Sequence, residues 1–216
     1  MFKNIFKLFL IYFIAIHWAN AKNSHNVKIL TLNDESLASS KLQRQELKYL
    51  ISCALPKHYI IKAKYKNSIY FFKGSAGLAP NWINNKLNIN QQRIVSACML
   101  ARTNYYGKQV KISLAHNSYT KNIPKFLYRT KQEKIDYPIF EGAFFGNILT
   151  NHSKAYVCTG NANEKYLRSK FRICSLEIKN NYSYCNFKIV GKCTRENFIQ
   201  DNIDYIHQAL NVYLKP

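Results

Sequence analysis

Glycine and proline are scarce in this chain, 7 and 5 among 216 residues, and acidic residues number 11 against 32 basic ones. No glycine-rich phosphate loop and no dinucleotide fingerprint is present, so nucleotide-dependent chemistry of those types has no sequence support. HExxH and CxxC are missing too, so no metal site and no cofactor is expected. Beyond the N-terminal segment no apolar run is long enough to span a bilayer, so no transmembrane segment is expected in the mature chain. Internal repeats and low-complexity tracts are also lacking.

What is present begins with a leader. Lys3 and Lys7 precede an apolar run from Leu8 to Ile16, and Ala19-Asn20-Ala21 supplies small residues on either side of a cleavage point. That order predicts a signal peptide over 1–21, cleaved near Ala21, and a secreted or periplasmic product. All six cysteines follow it: Cys53, Cys98, Cys158, Cys174, Cys185 and Cys193. An even count in an exported chain predicts disulfides, although six cysteines allow 15 pairings and spacing does not choose among them. The pairing expected here is Cys53–Cys98, Cys158–Cys174 and Cys185–Cys193. Loss of the leader's two lysines takes the formal charge from +21 to about +19, a field that attracts anionic polymers. Acidic cell-wall polymers and lipopolysaccharide are the expected partners, nucleic acid less so. The excess of 25 lysines over 7 arginines, with 24 asparagines, also fits the amino-acid drift of an AT-rich genome. Nothing in the sequence fixes the oligomeric state.

Residues 22–40 are polar and read as irregular. Leu42, Leu47, Leu50 and Ile51 recur at helical spacing, predicting an amphipathic helix to about Ala54, before Pro56. Tyr59–Tyr65 and Ser68–Lys73 predict a β-hairpin around Lys66-Asn67. After a loop from Gly74 to Trp82, a second amphipathic helix is expected, capped by Asn88 or Asn90 and closed by Gly107. Alternation over Val110–Leu114 predicts a strand, and 117–138 a long basic loop. Short strands are expected around Tyr156–Cys158, Phe171–Ile178 and Tyr184–Val190, then a short helix through Phe198 and Ile206, then a closing strand over Leu210–Leu214. The expected fold is α+β, with two amphipathic helices packed on a mainly antiparallel sheet and a disulfide-rich β C-terminal part. A core over 22–150 and a cysteine-rich subregion over 151–216 would form one domain.

Four stretches together resemble a group of secreted Gram-negative bacterial proteins that has no established activity. They are Lys48–Pro56, Gly77–Trp82, Val95–Cys98 with Ala101, Asn104, Tyr106 and Gly107, and Glu141 with Phe144–Asn147. The resemblance covers roughly Lys48 to Leu149. It implies export and a common fold and carries no function. In that group the position of Ala143 is often a cysteine, which this chain lacks.

The chemistry-bearing candidates centre on "IFEGAFFGN", Ile139 to Asn147. Glu141 between aromatic residues is either a desolvated general acid or a carboxylate that ties down a turn at Gly142. Asn147 is either a substrate donor or a turn residue. His116 and His152 flank the same region and could assist acid–base chemistry. Trp82, Arg102, Asn104 and Tyr106 are candidate binding residues, because aromatic side chains beside cations can stack on sugars or bases; packing explains them equally. Two functional readings result. One is a secreted, disulfide-stabilised basic protein that binds an anionic polymer or host component. The other is a secreted hydrolase of cell-wall glycan or another polyanion, with Glu141 as general acid.

Overall fold

A computed structural model describes residues 27–32, 38–116 and 128–216. The expected leader with its cleavage point, and residues 117–127 of the expected long loop, lie outside the described residues. The described chain forms two compact units, residues 27–91 and 92–216. Secondary structure is α+β, and most strand pairs are antiparallel.

In the first unit, β1 (Lys28–Leu32) lies within the stretch expected to be irregular. It pairs in parallel with β2 (Tyr59–Tyr65), and α1 (Lys41–Ala54) makes the crossover between them. Ser40 and Gln43 form a capping box at the start of α1, which satisfies two backbone N–H groups of the first turn. The helix buries Leu47, Leu50 and Ile51, as its apolar spacing requires, and packs over β3 (Ser68–Lys73). The β2–β3 hairpin has the predicted strands, with Lys66 at positive φ in its turn. The following loop closes the far end of α1. N–H groups of Ser75, Ala76, Leu78 and Ala79 donate to carbonyls of Leu55, Ser52, Cys53 and Ala54 at 2.7–3.0 Å. They lie at the C-terminal end of the helix, where the supply of intrahelical donors runs out, and the loop provides donors there.

Helix α2 (Ile89–Arg102) carries the chain into the second unit, and Asn88 caps it reciprocally with Gln91. Every residue from Val95 to Ala101 is buried, so α2 is a core helix and not the amphipathic one expected. It ends at Arg102, five residues before Gly107, which lies in a separate turn closed by its N–H on the Asn104 carbonyl at 3.1 Å. Next come β4 (Ile112–His116), α3 (Lys131–Asp136), β5 (Ile139–Asn147) and β6 (Lys154–Thr159). Helix α3 falls in the expected long loop, and Thr130 and Glu133 cap it with a reciprocal box. It is followed by α4 (Glu164–Ser169), β7 (Glu177–Lys179), β8 (Tyr182–Ser183), β9 (Lys188–Lys192), β10 (Ile199–Gln200), β11 (Ile203–Asp204) and β12 (Leu210–Leu214).

Seven of these strands make one sheet in the order β4-β12-β5-β6-β9-β8-β7. The chain's last strand is thereby inserted between β4 and β5. Two expectations fail here for one reason, that apolar spacing does not encode long-range pairing. The helix expected through Phe198 and Ile206 is a 3-10 turn followed by the β10–β11 hairpin. Its turn residues Asp201 and Asn202 both have positive φ, which Asp and Asn tolerate. The strand expected at Phe171–Ile178 is largely α4's exit and a 3-10 turn over Ile173–Ser175.

The disulfides follow the topology. Cys158 bonds Cys193, and Cys174 bonds Cys185, which corrects the expected Cys158–Cys174 and Cys185–Cys193. Strands β6 and β9 are parallel neighbours, with Thr159 opposite Lys192, so Cys193 emerges beside Cys158. Cys53 and Cys98 are disulfide-bonded as well, and no cysteine is free. On one face of the sheet, Phe145, Tyr156, Phe198 and Tyr205 pack ring against ring at centroid distances of 5.2–5.7 Å. The Cys158–Cys193 bridge belongs to that cluster.

Candidate functional site

Strand β5 is buried continuously from Glu141 to Asn147. Glu141 is therefore neither in a turn nor on a loop. It sits at a bulge, where the pairing with β12 steps from Phe140–Tyr213 to Gly142–Val212 and leaves Glu141 without an opposite residue. The bulge aims its side chain at Arg172, whose Nε donates to Oε2 at 2.8 Å. Neither side chain is more than 2% exposed. Arg172 also donates from Nη2 to the Ala101 carbonyl at 2.9 Å and from Nη1 to the Thr103 carbonyl at 3.4 Å. These are orphan carbonyls at the C-terminal end of α2, where the helix dipole favours a cation. The pair thus ties β5, α2 and the segment after α4 into one buried junction. The Cys174–Cys185 bridge clamps that segment two residues further on.

Burial raises the Glu141 carboxyl above its ordinary pKa, and the charge and hydrogen bond of Arg172 pull it part of the way back, with the nearby Ser175 hydroxyl acting in the same direction. Glu46 on α1, a half-buried carboxyl, is raised by burial to about 7. A carboxyl raised in the folded state binds protons that the unfolded chain has released. Its stabilising contribution is complete below the ordinary value of 4.5 and is lost as pH rises through the folded value. Asp201 and Asp204 are lowered by their hydrogen bonds from Tyr156 and Arg195, and they act below their ordinary value of 3.8, outside that window. Urea midpoints measured at about pH 5 and about pH 8 are expected to fall toward the higher value, with Glu46→Gln flattening the slope. A midpoint that rises over the window in the wild type contradicts this assignment.

Asn147 is the last residue of β5, and both ends of its amide are engaged. Its Oδ1 accepts from the Leu149 N–H at 3.0 Å and the Ser96 hydroxyl at 3.5 Å, and its Nδ2 donates to Gln92 Oε1 at 3.1 Å. His116 is buried at the end of β4, opposite Leu210, whose other neighbour is Phe144. His152 is exposed in the turn between β5 and β6. Glu141 and Asn147 share a strand but engage different partners, and the structure joins neither histidine to the Glu141–Arg172 pair. Trp82 belongs to the first unit, where it lines a small apolar cavity of about 20 Å³ with Leu47, Ile51, Leu55 and Ile61.

Above the buried pair, the segment after α2 meets the segment after α4 at the surface. Asn104 organises the meeting. Its Oδ1 accepts from the N–H groups of Tyr106 and Lys108 at 2.8 and 3.4 Å, and its Nδ2 donates to the Phe171 carbonyl at 2.9 Å. Four rings gather there edge to face. Tyr105 meets Tyr106 at 5.2 Å and Tyr184 at 6.1 Å, and Tyr106 meets Phe171 at 5.8 Å. Tyr105 and Tyr106 remain 55% and 52% exposed. Two cations flank the rings: Lys108 lies 3.7 Å from the Phe171 centroid, and the Arg168 guanidinium 5.4 Å from that of Tyr184. Arg102, the last residue of α2, is half-buried. Of the binding candidates, Asn104 and Tyr106 belong to this cluster. Phe171, Tyr184 and Arg168 were not anticipated, because they lie far from Tyr106 in the sequence and reach it only through tertiary packing, whereas Lys108 lies two positions along the chain.

No family model, curated protein sequence or solved structure matches the chain. Among the described residues there is no group of three or more His, Cys, Asp or Glu placed to hold a metal ion, and no helix long and apolar enough to cross a membrane.

Proposed function

We propose that this is an exported, disulfide-stabilised binding protein whose ligand is an anionic polymer, such as an acidic cell-wall polymer or lipopolysaccharide. The observation that carries the reading is the cluster of exposed Tyr105, Tyr106 and Phe171 with half-buried Tyr184, flanked by Lys108 and Arg168. Tyrosine offers a large apolar face with a polar rim at low entropic cost, and neighbouring cations meet the charges of the ligand. The formal charge of about +19 that remains once the leader's two lysines are lost draws any polyanion toward the surface, and the rings supply the contact area that charge alone lacks. Export rests on the leader, the paired cysteines and the likeness to the secreted Gram-negative group. Glycan hydrolysis has less support, since Glu141 is enclosed and its Oε2 is held by Arg172.

The test uses heparin as a model acidic polysaccharide. Binding to the oxidised protein is expected to weaken steeply with salt, and Lys108→Ala with Arg168→Ala to shallow that dependence. Tyr105→Ser with Tyr106→Ser is expected to lose about tenfold or more in affinity, in line with the value of a ring-stacking contact. Unchanged affinity in both double variants would overturn the reading.

A further inference from the structure

The three-stranded sheet of the first unit has a second face that α1 does not cover. Side chains alternate along each strand, so Leu30, Ile61 and Phe72 turn inward and are buried. Their neighbours turn outward. The register sets Ile29 beside Ile60 and Lys73 in one row, Lys62 beside Phe71 in the next, and Lys64 beside Ile69 in the third. Phe71 is 62% and Ile69 51% exposed. Surface phenylalanine and isoleucine adjoining in one patch are unusual, because each exposes apolar area that folding would otherwise bury. None of the three strands contains an acidic residue.

We propose that this face docks on the surface of an anionic phospholipid bilayer, independently of the aromatic cluster of the second unit. Ile69 and Phe71 enter the boundary between headgroups and acyl chains, and Lys62, Lys64 and Lys73 meet the lipid phosphates. The composition selects this occupant. Isoleucine and phenylalanine side chains gain by entering the boundary of the hydrocarbon, and each lysine near an anionic leaflet adds attraction, so the face matches a surface that is apolar beneath and anionic above. A second copy of the chain would set these lysines against like charges with no acid to offset them.

The experiment is co-sedimentation of the oxidised protein with vesicles of phosphatidylcholine alone or mixed with phosphatidylglycerol. Binding is expected to the mixed vesicles only. Ile69→Ser with Phe71→Ser, both at exposed positions, is expected to reduce partitioning about tenfold with an unchanged melting temperature. Lys62→Gln with Lys64→Gln is expected to reduce it and to weaken its salt dependence. Tyr105→Ser with Tyr106→Ser is expected to bind vesicles as the wild type does, which separates this surface from the polymer site. Equal binding of the Ile69/Phe71 variant to mixed vesicles would overturn the proposal. So would a loss of oligothymidylate binding by that variant with vesicle binding retained, which would make the face a nucleic-acid surface.

Discussion

Arg172→Met is expected to destabilise the fold by about 3–5 kcal/mol, the cost typical of leaving one charge of a buried pair without its partner. The substitution keeps an apolar side chain against the Phe144 ring, over which the guanidinium now lies at 5.7 Å, so volume loss contributes little. It leaves the Glu141 carboxylate enclosed and returns the Ala101 and Thr103 carbonyls to the unsatisfied state of a helix end. Glu141→Gln is expected to cost less, because the amide oxygen still accepts from Nε while the guanidinium keeps its two carbonyl acceptors. Glu141→Leu with Arg172→Met together is expected to recover much of the loss, since a buried pair contributes little beyond an apolar replacement of similar size. Urea denaturation of Arg172→Met, Glu141→Leu and the double variant measures the coupling. A single-variant cost below about 1 kcal/mol would mean that the pair is solvated and the junction is not closed.

Gly142→Ala is expected to abolish stable folding, or to cost about 3 kcal/mol or more. Gly142 has φ +152°, and a Cβ there would stand 2.2 Å from the Cys158 carbonyl oxygen. Gly146 repeats the situation at φ +131°, with its Cβ 2.2 Å from the Lys154 carbonyl oxygen. Both obstacles are backbone atoms of β6, held in register along the β5–β6 pair, so neither can yield without opening the sheet. The glycines on either side of Ala143-Phe144-Phe145 are thus explained by the close approach of two central strands. Thermal unfolding monitored in the near-ultraviolet, where the packed rings around Phe145 report, is the suitable readout. A Gly142→Ala protein with wild-type melting would show that β5 and β6 are not packed as described.

The parts of this architecture that were legible in the sequence are those written locally. Helix α1, the β2–β3 hairpin, the Asn88 cap and strand β12 each carry their own spacing or capping signal within a dozen or so residues. Helices α3 and α4 had cap signals, Thr130 with Glu133 and Asn163 before Glu164, but six residues are too few for a periodic stripe. The disulfide pairing was not legible, because it depends on β9 lying parallel to β6. The same holds for the candidate sites. Glu141 stood out as a lone acid among aromatic residues, yet its partner Arg172 lies 31 positions away and has no local mark. Ser96 inside an otherwise apolar stretch of α2 was the one sequence hint that Asn147 would be engaged from that side. Tyr106 was visible as an aromatic residue beside cations, and Tyr105 adjoins it in the chain. The four-ring surface they join is a product of tertiary packing.

The central claim is that the aromatic and cationic cluster of the second unit contacts the ligand. The most direct measurement is residue-resolved chemical-shift mapping of the oxidised protein titrated with heparin. The account predicts that the largest changes fall on Tyr105, Tyr106, Lys108, Arg168, Phe171 and Tyr184, with Glu141 and Asn147 unmoved. Changes spread over lysines elsewhere, with those rings silent, would contradict it.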